Sequence, residues 1–432
     1  MKGRLNTLRY AGIVTVVVLL AATQSAPRAP SQPTSGPGGT DYPHSGVSIG
    51  EHGTGDTQYW LYTPKGPVPD SAPVIVFLHG WGGMNPGVYG AWIKHLVRRG
   101  NIVIYPRYQE SLRTSPALMT ESAEQAIRRA FWQLASVGPV KPQRDRFALV
   151  GHSLGGTIAA NIASEAQKVG LPQVRALMVV EPGDSKNSEI AQRLGARIPS
   201  ILGDYSKTPR GTLLLCVVGE EDRAAGDVVA RHIFDSATAV AERDKGFVIV
   251  RSDYHGEPAL IANHFAPLAP DRDFDSGEAA LRERFRERAF QRARPWMERA
   301  QQMVEEAEEL APLLRGGGVD ALDYFGFWKL FDGLTDAAFY GTHRDCALGG
   351  GKEMRHMGRW SDAVPVAELA VEQAAVRTGN PSEASGALQP HPTTNRQQLV
   401  VDGEPEVVIT VIGDRGVTID ECQEPLTLGS VV

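Results

Sequence analysis

Phe147-Ala148-Leu149-Val150-Gly151-His152-Ser153-Leu154-Gly155-Gly156-Thr157-Ile158-Ala159-Ala160-Asn161-Ile162-Ala163 is the stretch on which the reading of this chain turns. The first four residues are an apolar run of strand character. Gly151-His152-Ser153-Leu154-Gly155 then has the pattern Gly-x-Ser-x-Gly, and a strong helix start follows. Strand, tight turn and helix together form a nucleophile elbow, in which glycines let the chain turn sharply and leave the serine exposed above a sheet. The helix N-terminus beneath the serine adds partial positive charge for a developing oxyanion.

The pattern alone is weak, because with 46 glycines in 432 residues chance produces it on the order of a few tenths of a time. It occurs twice. Gly46-Val47-Ser48-Ile49-Gly50 has no buried strand before it, and Gly53 and Gly55 follow at once. That copy reads as an edge or loop segment, and Ser48 is set aside.

Serine is a poor nucleophile without a base and a group to orient that base. In folds with this elbow the chain order is serine, acid, histidine. His255 is the favoured base: it lies in Ser252-Asp253-Tyr254-His255-Gly256, the loop leaving the strand Phe247–Val250. His264 is the runner-up, read as a packing residue in a helix. Asp222 is the favoured acid, in the tight loop after the strand Leu213–Val218. Glu181, at the end of the strand Ala176–Val180, is its rival. Both acids stand at carboxyl ends of strands, where ligands bind in such sheets.

An oxyanion hole needs two backbone N–H groups. Leu154 supplies one. Trp81 supplies the other from His79-Gly80-Trp81-Gly82-Gly83, the loop after Val74–Leu78. His79 and His152 read as structural. No His/Asp/Glu cluster has metal-ligand spacing, so no metal is expected.

Working outward, apolar runs at Val74–Leu78, Ile102–Tyr105, Phe147–Val150, Ala176–Val180, Leu213–Val218 and Phe247–Val250 alternate with helical stretches such as Met119–Ala135 and Gly156–Gln167. Several runs are apolar on both faces, as in a parallel sheet covered on both sides. The expected fold is α/β and doubly wound, occupying residues 46–270. Residues 271–378 read as a helical extension. Its first helix carries a stripe from Leu281 to Leu314. A second, aromatic helix spans Ala321–Tyr340 and serves either as a lid over the acyl pocket or as packing. Residues 379–432 are a Pro/Ser-rich linker and a tail with strand character at Glu406–Ile412.

At the other end, Lys2, Arg4 and Arg9 precede the apolar run Ala11–Ala22, which is too short to span a membrane comfortably and fits a secretory signal of residues 1–26. An uncleaved anchor is the alternative. Residues 27–45 read as a flexible linker. Cys216 reads as a buried thiol, and Cys346 and Cys422 are candidates for a disulfide in an oxidising compartment. The net charge of −6, with no basic run, argues against nucleic-acid binding.

Together, His79–Gly83, Gly151–Gly156, Gly219-Glu220-Glu221-Asp222 and Asp253–Gly256 resemble the α/β-hydrolase superfamily, most of all the chlorophyllase, dienelactone-hydrolase and cutinase-like esterases. The resemblance covers about residues 46–265. It implies a mainly parallel sheet, a Ser–Asp–His triad and cofactor-free hydrolysis of carboxylic esters. Dienelactone hydrolases proper carry a cysteine nucleophile, where this chain has Ser153. The function expected is a secreted serine esterase acting on a small or lipid-like ester. An amidase or peptidase with the same triad, and a non-catalytic binding protein on the same scaffold, are the competing classes.

Overall fold

The computed structural model describes residues 26–111, 114–184, 200–277 and 318–372, with the backbone of 408–411 and 417–420. The chain divides into two units, Met1–Ala374 and Ala375–Val432. The first is built on β1 (Gly46–His52), β2 (Tyr59–Lys65), β3 (Ser71–Leu78), β4 (Ile102–Pro106), β5 (Lys141–His152), β6 (Ala176–Val180), β7 (Leu213–Gly219), β8 (Lys245–Val250) and β9 (Ala370–Glu372). They form one sheet in the order β1-β2-β4-β3-β5-β6-β7-β8-β9. From β4 to β8 the neighbours run parallel, and β1, β2 and β9 join antiparallel. This is the mainly parallel α/β sheet that the apolar runs lead one to expect, and it fits the α/β-hydrolase fold that the resemblance implies. The discarded Ser48 lies on the edge strand β1.

Alternate side chains of each central strand enter opposite cores. Val74, Val76, Leu78, Phe147 and Leu149 meet α2 (Pro116–Ser136), α3 (Leu154–Glu165) and α4 (Val228–Ser236). Ile75, Phe77, Ala148, Val150, Leu215 and Val217 face the other way, toward α1 (Gly90–Arg98) and α5 (Lys329–Tyr340). A π-helical turn, Leu322–Trp328, leads into α5. A parallel sheet must be covered on both faces, and α5 covers β5, β6 and β7 where α1 does not reach. Phe327 and Phe331 are fully buried there, each worth about 2–3 kcal/mol of burial. The aromatic helix is therefore packing, not a lid.

Two boundaries change as a result. Residues 271–378 are not a separate extension in their described part: they complete the second core through α5 and the sheet through β9. The signal was missed because α5 is separated from β8 by a long stretch of sequence. Nor is the segment read as a flexible linker, 27–45, loose. Pro27 and Arg28 accept from the N–H groups of Glu257 and Ser361, both at 3.0 Å. Gly38 N–H donates to the buried Asp332 carboxylate at 2.7 Å, which also holds His95 (2.8 Å) and Arg99 (3.1 Å). Pro and Gly carry little side chain to bury, yet their backbone groups still need partners, and composition does not reveal them.

In the second unit β10 (Val408–Val411) and β11 (Val417–Asp420) pair antiparallel. Residues 1–25 with the signal reading, the stripe helix of 281–314 and Cys422 lie outside the described residues. Cys216 is buried and Cys346 half-buried, both as free thiols. Among the described residues no helix is long and apolar enough to cross a membrane.

Candidate active site

The elbow is made by backbone crowding. β5 ends at His152 and α3 begins at Leu154. Between them Ser153 is held at φ +54°, ψ −128°, a conformation costing on the order of 1–3 kcal/mol for a residue with a side chain. Its N–H donates to Val180 O and its carbonyl accepts from Gly156 N–H, both at 2.9 Å. A Cβ on Gly155 would land on the carbonyl oxygens of Leu78 and His79. Only glycine fits between the elbow and β3.

His264 lies over this serine. Its Nε2 is 2.9 Å from Ser153 Oγ, and its Nδ1 is 3.0 Å from Asp222 Oδ2. A charged carboxylate only accepts, so Nδ1 carries the proton and Nε2 is left to accept from the serine hydroxyl. The other oxygen of Asp222 accepts from the N–H groups of Ala224 and Ala225, each at 2.9 Å. Burial alone would raise the Asp222 carboxyl. The hydrogen bond and charge of His264, with those two N–H groups, outweigh it and hold the pKa below the ordinary value. The small residues after Asp222 thus let the loop wrap the carboxylate.

His255, the favoured base, is elsewhere. After β8 the chain leaves the sheet, turns where His255 N–H meets Asp253 Oδ1 (2.9 Å), and returns through the bridge Asp253–Leu260. His255 sits exposed on that excursion, 2.7 Å from Asp362. The return is pinned to the acid loop by Glu221 N–H donating to Ala262 O at 2.9 Å. That pin delivers His264, not His255, to Ser153. The short strand-end loop read from the sequence is in fact an excursion followed by a second approach. Asn263 beside His264, whose Oδ1 accepts from Phe265 N–H at 2.9 Å, is a local turn signal that argued against a helix there.

The oxyanion loop comes close as well. A Cβ on Gly80 would lie 3.1 Å from Ser153 Cβ. Gly83 N–H closes a turn on Gly80 O (2.9 Å), and Gly82 N–H is held by Gln109 (2.8 Å). Trp81, at the tip of this turn, is half-buried against the α2/α3 core, and Leu154 is the first residue of α3.

Beneath the site is a layer of buried polar side chains. His79 is buried, with Nδ1 2.8 Å from Gly80 O and Nε2 2.8 Å from Arg107 O; burial drives its pKa down to about 4, and the neutral ring donates to one of these carbonyls at a time. His152 Nε2 meets His264 O at 2.9 Å and its Nδ1 meets Tyr89 Oη at 2.8 Å. Burial, with the neighbouring His264, takes its pKa down to about 3. Glu181 is fully buried, with Oε2 3.4 Å from His152 Nε2 and 3.7 Å from His264 Nδ1.

His152, Glu181 and His264 thus come together as three groups of metal-ligand type, a cluster invisible in sequence spacing. All four ring nitrogens of the two histidines already have hydrogen-bond partners. A bound cation would have to break the contact between His264 and either Asp222 or Ser153.

With the geometry in place, the chain can be set beside known proteins. Residues 61–221, less than half of it, match the Chlorophyllase family. No curated protein matches. Among solved structures, a point mutant of the esterase rPPE is 17% identical, covering 52% of this chain and 76% of that one, with a TM-score of 0.39. A thermostable esterase from Pseudomonas putida ECU1011 is 18% identical, covering 48% and 73%, with a TM-score of 0.37. Sheet order and family match make this an enzyme of the α/β-hydrolase class. Within that class, carboxylic-ester hydrolysis is the chemistry that the Chlorophyllase match supports.

Proposed function

We propose that this chain is an exported serine esterase that works through Ser153, His264 and Asp222 and a covalent acyl-enzyme. The observation that carries the reading is the unbroken chain Ser153 Oγ–His264 Nε2 (2.9 Å) and His264 Nδ1–Asp222 Oδ2 (3.0 Å). Ser153 Oγ attacks the ester carbonyl carbon while its proton passes to His264 Nε2. Asp222 holds the imidazole and faces the imidazolium as it forms. The N–H groups of Leu154 and Trp81 stabilise the tetrahedral oxyanion. His264 then protonates the leaving alkoxide, and the alcohol departs. Water, deprotonated by the same histidine, attacks the acyl-enzyme, which frees the acid and returns the proton to Ser153.

The substrate class is a small-molecule carboxylic ester. Export is supported by Lys2, Arg4 and Arg9 before the apolar run Ala11–Ala22. Pro27 O accepts from Glu257 N–H, and a cut after Ala26 would leave that contact whole. N-terminal sequencing of the exported protein tests this, and intact Met1 in a membrane fraction would favour an anchor.

A fluorophosphonate probe tests the chemistry. It should label the wild-type protein on Ser153. Ser153→Ala should lose both labelling and hydrolysis of short p-nitrophenyl esters, while Ser48→Ala keeps both. Full activity in the Ser153 variant would end this reading.

A further inference from the structure

Glu181 has no part in the mechanism above, yet it occupies the most constrained position beneath it. It directly follows β6 with φ +48°, is fully buried, and neither carboxyl oxygen makes a side-chain hydrogen bond of ordinary geometry. An unpaired buried carboxyl is costly and calls for an explanation.

The groups facing it are Tyr89, His152, Asp222 and His264. Their proton positions follow from chemistry. His264 O can only accept, so His152 Nε2 carries that ring's hydrogen and is committed there. His152 Nδ1 then accepts from the Tyr89 hydroxyl, which in turn accepts from Gly80 N–H at 3.1 Å. Neither His152 nor Tyr89 has a hydrogen to spare for Glu181. Apart from the backbone N–H of Gly219, the hydrogen that Glu181 can share is the Nδ1–H of His264, 3.7 Å from Oε2 and at present given to Asp222.

We propose that Glu181 is a reserve acid of the site: a positioning residue that takes the Nδ1–H of His264 when Asp222 cannot. This rests on the triad reading. In the intact protein, burial and then the adjacent Asp222 charge push the Glu181 pKa well up, and the backbone N–H of Gly219 opposes this only in part. The residue stays neutral, because two adjacent carboxylates cannot both ionise. With Asp222 changed to an amide, the repulsion is gone. Burial still holds the Glu181 pKa up, so it is as pH rises that Glu181 releases its proton to water and its Oε2 accepts from Nδ1–H. When Ser153 gives its proton to Nε2, the imidazolium again faces one carboxylate, so the charge of the pair is unchanged.

The test is Asp222→Asn, alone and with Glu181→Gln, an isostere of the neutral acid. A triad with a single orienting acid loses on the order of 10⁴-fold in kcat when that acid becomes an amide. With a reserve acid, Asp222→Asn should lose only about 10–100-fold, and its kcat should rise with pH through an ionisation above the ordinary carboxylate range. Adding Glu181→Gln should remove that rise and take the loss to about 10⁴-fold. The proton resonance of His264 Nδ1–H should remain at low field in Asp222→Asn and move upfield in the double variant, a readout that does not depend on turnover. The proposal is overturned if Asp222→Asn alone already shows the full loss, or if the second change alters neither kcat nor the resonance. Ser153→Ala separates the two failures. If it is inactive while the single and double variants match, only the reserve acid falls. If it is active, the triad reading falls too.

Discussion

Two histidines follow β8, nine residues apart, and each is paired with an aspartate. His255 meets Asp362 at 2.7 Å and His264 meets Asp222 at 3.0 Å, so distance alone would favour the pair that is remote from Ser153. The settings differ. The side chains of the first pair are 36% and 40% exposed, those of the second 12% and 0%. An exposed pair is screened by water and contributes little. The second pair is shielded, its carboxylate is fixed by two backbone N–H groups, and its imidazole has a serine on the far nitrogen. On the proposed mechanism, what suits His264 to act as a base is the third partner and the loss of solvent, not the carboxylate.

The largest expected contrast is in turnover. His264→Ala should lower kcat by several powers of ten, while His255→Ala should stay within about a few fold of the wild-type protein. Ester hydrolysis by the two variants decides it, and a dead His255 variant would reverse the comparison.

A smaller effect should come from the pin between the loops. A Cβ on Gly219 would overlap Ala262 O and come within 2.7 Å of Glu181 Oε1. Gly219→Ala should therefore displace the segment that carries His264. A shift approaching 1 Å would lower kcat by about 10–100-fold, with KM for a short ester nearly unchanged. Equal kcat in the two proteins would show that the return segment is not what places the base.

The smallest effect is on stability against pH. The Asp222 pKa is held below its ordinary value in the folded protein. Its contribution is therefore complete above the unfolded carboxylate value, about pH 4, and is lost as pH falls through the lower folded value. On a Glu181→Gln background, which removes the titration of the neighbouring carboxyl, the difference in unfolding free energy between proteins with Asp222 and with Asp222→Asn should close as pH falls below about 4. The Asp362 pKa is lowered too, first by its hydrogen bond with His255, but this carboxylate is solvated. The Asp362→Asn difference should be smaller and should shrink further in salt. A gap for Asp222→Asn that widens on acidification would contradict the assignment of its charge.

How much of this was legible varies along the chain. The elbow could be read because its strand, turn and helix signals lie within one short stretch. The central strands could be read because both faces are buried, which writes them as unbroken apolar runs such as Val74–Leu78, every residue of which is fully buried. The loop after β7 could be read from its small residues. The excursion after β8 could not: nothing local distinguishes a histidine that turns outward toward Asp362 from one that returns over Ser153. The closeness of Asp222 and Glu181 was equally hidden, because their strands are adjacent only once β6 and β7 pair.

The sequence by itself determined the sheet-forming segments, the elbow around Ser153 and the supply of acids at strand ends, because each is encoded by the periodicity and turn chemistry of neighbouring residues. Tertiary structure alone decided which histidine reaches the serine, that residues 27–45 are pinned to the domain, and that α5 and β9 belong to the same fold as the elbow. Each of those rests on contacts between segments far apart in the chain, such as Glu221 with Ala262 or Gly38 with Asp332, and no local pattern carries them.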